Sequence, residues 1–229
     1  MTITSVASFD VRLSRRAWEF AKTNAPKIDA HWSVRVREQP KLFDGEVLML
    51  AQWSLSQGHF VGECIKADFK SFLYWREHAA PDPGVVDFFA AAALHSSEGW
   101  LILGRSSPGM SNAGTVYPPS GSLDADVAED IPIDLDRSII REVFEETGIE
   151  LRRTELGASI IINAPPQLIV IRPVYLGLPA SEIVSGIDAH LRASPEGEIA
   201  EVVIVRGRAD IQSAMPPFTA DYIRYAFQA

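Results

Sequence analysis

The chain has 229 residues, 47% of them apolar, enough for one large or two small domains with a sizeable core. Its net charge of -9 and pI near 5.0 argue against a nucleic-acid-binding surface, which needs clustered lysine and arginine to displace counterions. A single cysteine, Cys64, excludes an intrachain disulfide. No apolar stretch approaches the roughly 20 residues that span a bilayer, and no basic segment with an apolar run opens the chain, so the expectation is a cytoplasmic protein. In chain order, residues 1–10 read as a short strand or a loose end. Residues 11–25 and 26–38 carry apolar side chains at helical spacing and predict two helices, with Trp18, Phe20, Ile28, Trp32 and Val36 in the core. Leu42-Phe43-Asp44-Gly45 signals a turn, and 47–55 and 60–65 flank Gly58 as a β-hairpin. Asp68 predicts the N-cap of a helix running to about His78. Pro81-Asp82-Pro83-Gly84 then breaks the chain into an N-terminal α+β subdomain, 1–83, and a second domain, 84–229.

Beyond that joint the texture turns to strands: 85–94, 100–104, 156–163, 168–177 and 198–206 are rich in aliphatic and β-branched residues. A helix set among them suits a mixed sheet covered on both faces, an α/β/α sandwich of the α+β kind. Residues 104–114 hold glycines and serines without the order of a phosphate-binding or dinucleotide fingerprint and read as a loop. Residues 181–193 fit a strand and a helix equally. Residues 219–227 predict a closing helix with Thr219 as its cap.

The stretch that carries chemistry is Arg141-Glu142-Val143-Phe144-Glu145-Glu146-Thr147-Gly148-Ile149. Asp134 as N-cap and Gly148 as C′ residue frame a helix in which Glu142, Glu145 and Glu146 share one arc, while Ile139, Ile140, Val143 and Phe144 form an apolar flank. Glutamates at i and i+4 with no lysine between them repel, and a hard divalent cation bound through carboxylate oxygen relieves the repulsion. The alternative is a solvated acidic face.

Residues 141–149 match the second half of the signature of the Nudix hydrolases, G-x5-E-x7-R-E-U-x-E-E-x-G-U with U bulky and apolar, at every specified position. Tyr117-Pro118-Pro119-Ser120-Gly121 resembles the approach to that motif, with Gly121 as its first glycine. The chain then departs from the pattern. Nineteen residues separate Gly121 from Arg141 where thirteen are expected, and Ile133 stands where the first glutamate belongs. Asp124, Asp126, Glu129 and Asp130 in the enlarged loop are candidates to replace it.

The resemblance implies a Nudix-like fold and Mg²⁺ or Mn²⁺ held by Glu142, Glu145 and Glu146, with Arg141, Gly121 and Gly148 as structural support. The implied reaction is attack of metal-activated water on phosphorus, cleaving the diphosphate of a nucleoside diphosphate linked to another group. The implied partner is therefore a small nucleoside diphosphate derivative, with no nucleic acid and no membrane; the oligomeric state is open, a homodimer included. Such sites commonly take a further carboxylate from outside the helix. Of Glu198 and Glu201, which enter the strand at 198–206, Glu201 is preferred as catalytic, a solvent-facing edge glutamate being the bland reading. Arg105 and Asn112 are candidate substrate contacts. The histidines at 31, 59, 78, 95 and 190 show no zinc-site spacing, and Cys64 reads as a small buried hydrophobe.

Selectivity must come from elsewhere. His31-Trp32 through Lys41-Leu42-Phe43-Asp44-Gly45, then a hairpin, then Phe69 to Trp75, is similar in layout to the eukaryotic Nudix branch that cleaves UDP-glucose and UDP-galactose to UMP and sugar 1-phosphate. The 119–124 loop, Pro-Ser-Gly-Ser-Leu-Asp, lacks that branch's glycine pair and histidine. A catalytically inactive nucleotide-binding sensor or regulatory module is the alternative from another class, since fold alone never proves activity.

Overall fold

The structure is a computed structural model and describes residues 2–123 and 131–228. The chain opens with β1 (Thr2–Val6) and β2 (Ser8–Ser14), separated by Ala7 alone. Residues 11–14, expected to be helical, belong to β2. One helix follows, α1 (Glu19–Glu38), where two were expected. Pro26 lies inside it without ending it: Lys22, whose carbonyl loses its amide partner, is an exposed residue, so solvent is at hand to satisfy that carbonyl. Of the five core residues expected here, Trp18 and Ile28 are buried, whereas Phe20, Trp32 and Val36 are only half-buried on a helix that lies on the outside.

The hairpin is present as β3 (Glu46–Ser56) and β4 (His59–Asp68), with Gln57 and Gly58 at positive φ in the turn. Asp68 caps α2 (Phe69–Glu77), its carboxylate accepting from the Ser71 amide at 3.0 Å. β5 (Val86–His95), β6 (Leu101–Ser106), β7 (Val116–Tyr117) and β8 (Ser120–Ser122) follow, and then α3 (Leu135–Thr147). The last part holds β9 (Ser159–Ala164), β10 (Gln167–Tyr175), α4 (Ala180–Ala193), β11 (Ile199–Val205) and α5 (Pro217–Ala226). α4 resolves the strand-or-helix ambiguity: Ala180, Ile183 and Ile187 recur at helical spacing and are its buried residues. α5 starts earlier than expected. Pro216 takes the cap position and Pro217 the first turn, so Thr219 is a buried helical residue rather than a cap.

The strands form one mixed sheet whose main path runs β1-β9-β10-β5-β3-β4-β2. Its two ends are β1, antiparallel to β9, and β2, parallel to β4, and these are successive halves of one bent segment. The sheet therefore curls back on itself, and an apolar cluster of Val6, Val11, Leu50, Phe60, Phe88 and Leu168 packs together with Ile139 and Val143 of α3. On the opposite face, Ile160, Ile162, Ile169 and Ile171 meet Phe218, Tyr222 and Ile223 of α5. Helices thus cover both faces, as the sequence led us to expect. β3 pairs with β5 at Met49↔Asp87 and Leu50↔Val86, which carries the sheet across the Pro81–Gly84 joint. Cys64 is fully buried in the first cluster, and burial pushes its thiol up to about 12, which removes it from nucleophilic chemistry.

Candidate active site

α3 is fixed at both ends. The Asp134 carboxylate accepts from the Arg137 amide at 3.1 Å, and Arg153 grips the same carboxylate at 2.6 Å. Arg172 on β10 clasps Asp136 in the first turn, one guanidinium nitrogen reaching both carboxylate oxygens at 2.8 Å. At the far end Gly148, at φ 72°, returns its amide to Phe144 O at 2.8 Å. A β-carbon there would lie 2.7 Å from the His190 ring of α4, and His190 Nε2 reaches the Glu145 carbonyl at 3.0 Å. Glycine serves both the left-handed turn and the close approach of α4.

Held this way, the helix is rotated from the orientation expected. Phe144, assigned to the apolar flank, is 48% exposed, and Ile140 is half-buried. The buried stripe is Ile139, Glu142, Val143 and Glu146, spaced i, i+3, i+4, i+7. Two of the three carboxylates therefore point inward, Glu142 at 9% and Glu146 at 3% exposure, while Glu145 stays in solvent.

Each inward carboxylate is accommodated differently. Glu142 lies against Gly121 of β8, where a β-carbon would overlap its carboxyl group. Arg141 steadies the arrangement from above: its guanidinium donates to Ser122 O at 3.3 Å and pairs with Glu142 at 2.9 Å and Glu145 at 3.6 Å. Gly121→Ala should displace Glu142 while leaving the helix caps intact. We expect about a tenfold or greater loss of kcat in the assay below, with a stability cost of about 1–3 kcal/mol by thermal melting.

Glu146 has no such partner. Neither carboxylate oxygen makes a hydrogen bond among the described residues, although both are buried. Burial and then the charges of Glu142, Glu198 and Glu145 hold its pKa well above the usual carboxylate range; the Ser120 amide nearby opposes this without closing a bond. Burial, followed by the charge of Glu146, pushes the Tyr117 phenol up to about 12. Burial and then Glu145 raise Glu198 too, against the pull of Arg141; Glu198 remains open to solvent by area, so this influence is screened.

Of these groups, Glu142 and Glu198 line a cleft of about 770 Å³. Gly121, Ser122 and Glu142 line it, together with residues 107–111, residues 194–200 including Glu198, and Lys41, Leu42 and Phe43 from the N-terminal part. Of the candidates read from the sequence, Gly121 and Glu142 line it, Arg141 and Glu145 are tied to Glu142 through the Arg141 ion pairs, and Glu146 is buried on the same helix without lining it; Glu201, Arg105 and Asn112 stand apart. Glu201 alternates along β11 with Val203 and Val205, which pack on the α5 side of the sheet, and pairs with Arg105 at 2.8 Å. Arg105 also donates to Gly114 O. Asn112 is committed to its own turn, its amide oxygen accepting from Ser106 at 2.8 Å and its carbonyl from Thr115 at 2.7 Å. Glu198, passed over in favour of Glu201, is the β11-side carboxylate at the cleft. Ile133, at the position of the first motif glutamate, is buried, with its amide on Val11 O at 2.7 Å; it anchors the segment before α3 and can bind no ion. Asp124, Asp126, Glu129 and Asp130 lie outside the described residues.

Among the described residues, no three His, Cys, Asp or Glu side chains converge as a ready-made ligand set. The donors still fit a hard divalent ion. Mg²⁺ keeps several waters and takes only one or two carboxylates plus substrate phosphates, and a buried carboxylate without a hydrogen bond among the described residues, crowded by three further glutamates, is the environment such an ion relieves.

No family model and no curated protein matches the sequence. Among solved structures, the chain is similar to a MutT protein from Methanosarcina mazei Go1, at 18% identity over 61% of this chain and 91% of that one, with a TM-score of 0.40. It is similar to a MutT NUDIX hydrolase from Burkholderia pseudomallei, at 20% identity over 61% and 94% of the two chains, TM-score 0.37. It is also similar to a C. elegans Ap4A hydrolase, at 16% identity over 60% and 89%, TM-score 0.37. Likenesses of that grade decide nothing about chemistry, which rests on the side chains around Glu146.

Proposed function

We propose that the chain is a Nudix-type pyrophosphohydrolase, a metal-dependent enzyme that cleaves the diphosphate of a nucleoside diphosphate linked to a second group. The observation that carries this reading is Glu146: a carboxylate buried to 3% exposure, without a hydrogen bond among the described residues, on the motif helix and beside Glu142. A fold does not retain such a group for stability, because an unpaired buried charge costs several kcal/mol. Mg²⁺ or Mn²⁺, when bound, would neutralise substrate phosphates and acidify a water. Glu142 and Glu146 would hold the ion, with Glu145 at the solvent side of the same helix. Arg141 orients Glu142 through their ion pair. Glu198, across the cleft, is placed to take the proton of the attacking water.

A cleft of about 770 Å³ is within the usual range for a small-molecule ligand and large enough for a nucleotide sugar. Among substrates UDP-sugars come first, on the N-terminal layout. The test is a panel of UDP-glucose, ADP-ribose, dinucleoside polyphosphates and acyl-coenzyme A with Mg²⁺ or Mn²⁺. Release of a nucleoside monophosphate from one member, stopped by EDTA, is the expected result. Binding of a panel member with no turnover in either metal would replace the enzyme with the sensor reading.

A further inference from the structure

Phe43 is the exception among the aromatic side chains near the cleft. It is 81% exposed, although it stands in a turn whose main chain is fixed on both sides. Before it, the Leu42 amide bonds Gln39 O at 3.0 Å, and the Gln39 side chain reaches Met110 O at 3.4 Å, tying the segment to the loop that lines the cleft. Lys41 pairs across the cleft with Glu196. After it, Asp44 accepts from the Lys70 amide at 2.9 Å and Gly45 O accepts from the Phe69 amide at 2.8 Å. The ring lies along Gly45: a β-carbon there would come within 3.2 Å of it. The neighbouring Phe69 also lines the cleft, but it is half-buried and its ring packs against Trp32 and Phe72 at ring separations of 6.3 and 5.9 Å. Among the described residues, Phe43 makes no comparable ring contact. Backbone sets its position on one side, and the exposed ring is one of the groups that line the cleft.

We propose that Phe43 is the platform on which the aromatic base of a nucleotide stacks, so that the N-terminal part chooses nucleoside diphosphates over other diphosphates at the site where Glu142 and Glu146 act. This rests on the reading of the cleft as a diphosphate-cleaving site. A flat ring held by its backbone loses little freedom on binding, and any base presents a π-face to it. The cleft supplies the rest of the logic: Glu142 and Glu198 line it together with Phe43, so a ligand bound through its phosphates near the carboxylates extends its base toward the ring.

The test is equilibrium binding of UMP, AMP and inorganic pyrophosphate, with Mg²⁺, to the full chain and to Phe43→Ala, Phe43→Leu and Phe43→Trp. Because the side chain is exposed, all variants should melt with the wild type. Phe43→Ala and Phe43→Leu are expected to bind UMP and AMP roughly tenfold more weakly and pyrophosphate unchanged, with Phe43→Trp restoring the nucleotides. In turnover, Phe43→Ala should raise KM for the accepted substrate and leave kcat near wild type. Nucleotide affinity that is the same in Phe43→Ala and wild type overturns the platform and leaves the hydrolase reading standing. Equal weakening of pyrophosphate overturns it as well, since the loss would then not belong to the base. A wild type that binds none of the three probes overturns both.

Discussion

Replacing Glu146 with glutamine is expected to lower kcat by about a hundredfold or more and, in the same protein, to raise the melting temperature measured in EDTA. The two effects have one cause. Without metal, the folded chain holds this carboxylate in a buried site with no hydrogen bond and with other glutamates close by, so its pKa stands well above the ordinary 4.5. Between the ordinary value and the raised one, the folded protein binds the proton that the unfolded chain has released. Stability therefore falls as pH rises through that window. Glutamine resembles the protonated form and has no such dependence. The variant should thus melt higher than wild type at neutral pH, by about 2–4 °C for each 1 kcal/mol relieved in a chain of this size, and the gap should close as pH drops toward 4.5. Saturating Mg²⁺ or Mn²⁺ should stabilise the wild type and leave the variant nearly unmoved. Wild-type turnover in Glu146→Gln, or a lower melting temperature in EDTA, would remove Glu146 from the site and the proposed chemistry with it.

What could be read from residues 134–148 in advance was whatever depends on near neighbours. The Asp134 cap, the Gly148 stop and the length of α3 follow from spacing within one helix, as do the Asp68 cap and the hairpin turn at Gly58. The facing of α3 did not follow. Its arc holds apolar and acidic residues at the same spacing, and Phe144 looks as buriable as Ile139 until α4 and β8 are in place. Residues 1–10 read as a short strand or a loose end, and the choice was open because the partners are far along the chain: Thr2 pairs with Asn163, and the strand at Ser8 is defined by His59. α1 was split on paper because proline usually ends a helix, a preference that yields where the freed carbonyl faces water. For 104–114, composition announced a loop, which holds from 107 on while 104–106 finish β6, but not that Asn112 would be consumed by its own turn.

The choice between Glu198 and Glu201 is where sequence and structure part most clearly, and it yields the second large expected effect. Residues 202–205 are Val-Val-Ile-Val, so both faces of β11 are apolar and alternation alone gives no inward side. A register shift between Ile199 and Glu201 in the pairing with β6 makes counting from the strand's start unsafe as well. The ladder removes the ambiguity. Glu201 sits opposite Arg105 and is neutralised by it, in an exposed pair of the kind worth about 0–1 kcal/mol. Glu198 lies before the shift, lines the cleft, and has its proton affinity raised by burial and by Glu145, to an extent that its exposure to solvent screens. A base with that bias is charged, and able to accept a proton, only above its raised pKa. The acid limb of kcat against pH should therefore fall above the ordinary carboxylate value of 4.5. Glu198→Gln is expected to lower kcat by about a hundredfold with little change in KM and to abolish that limb, whereas Glu201→Gln should stay within about twofold of wild type at every pH. If Glu201→Gln proves the more damaging of the two, the proton leaves by another route and β11 faces the substrate with its other side.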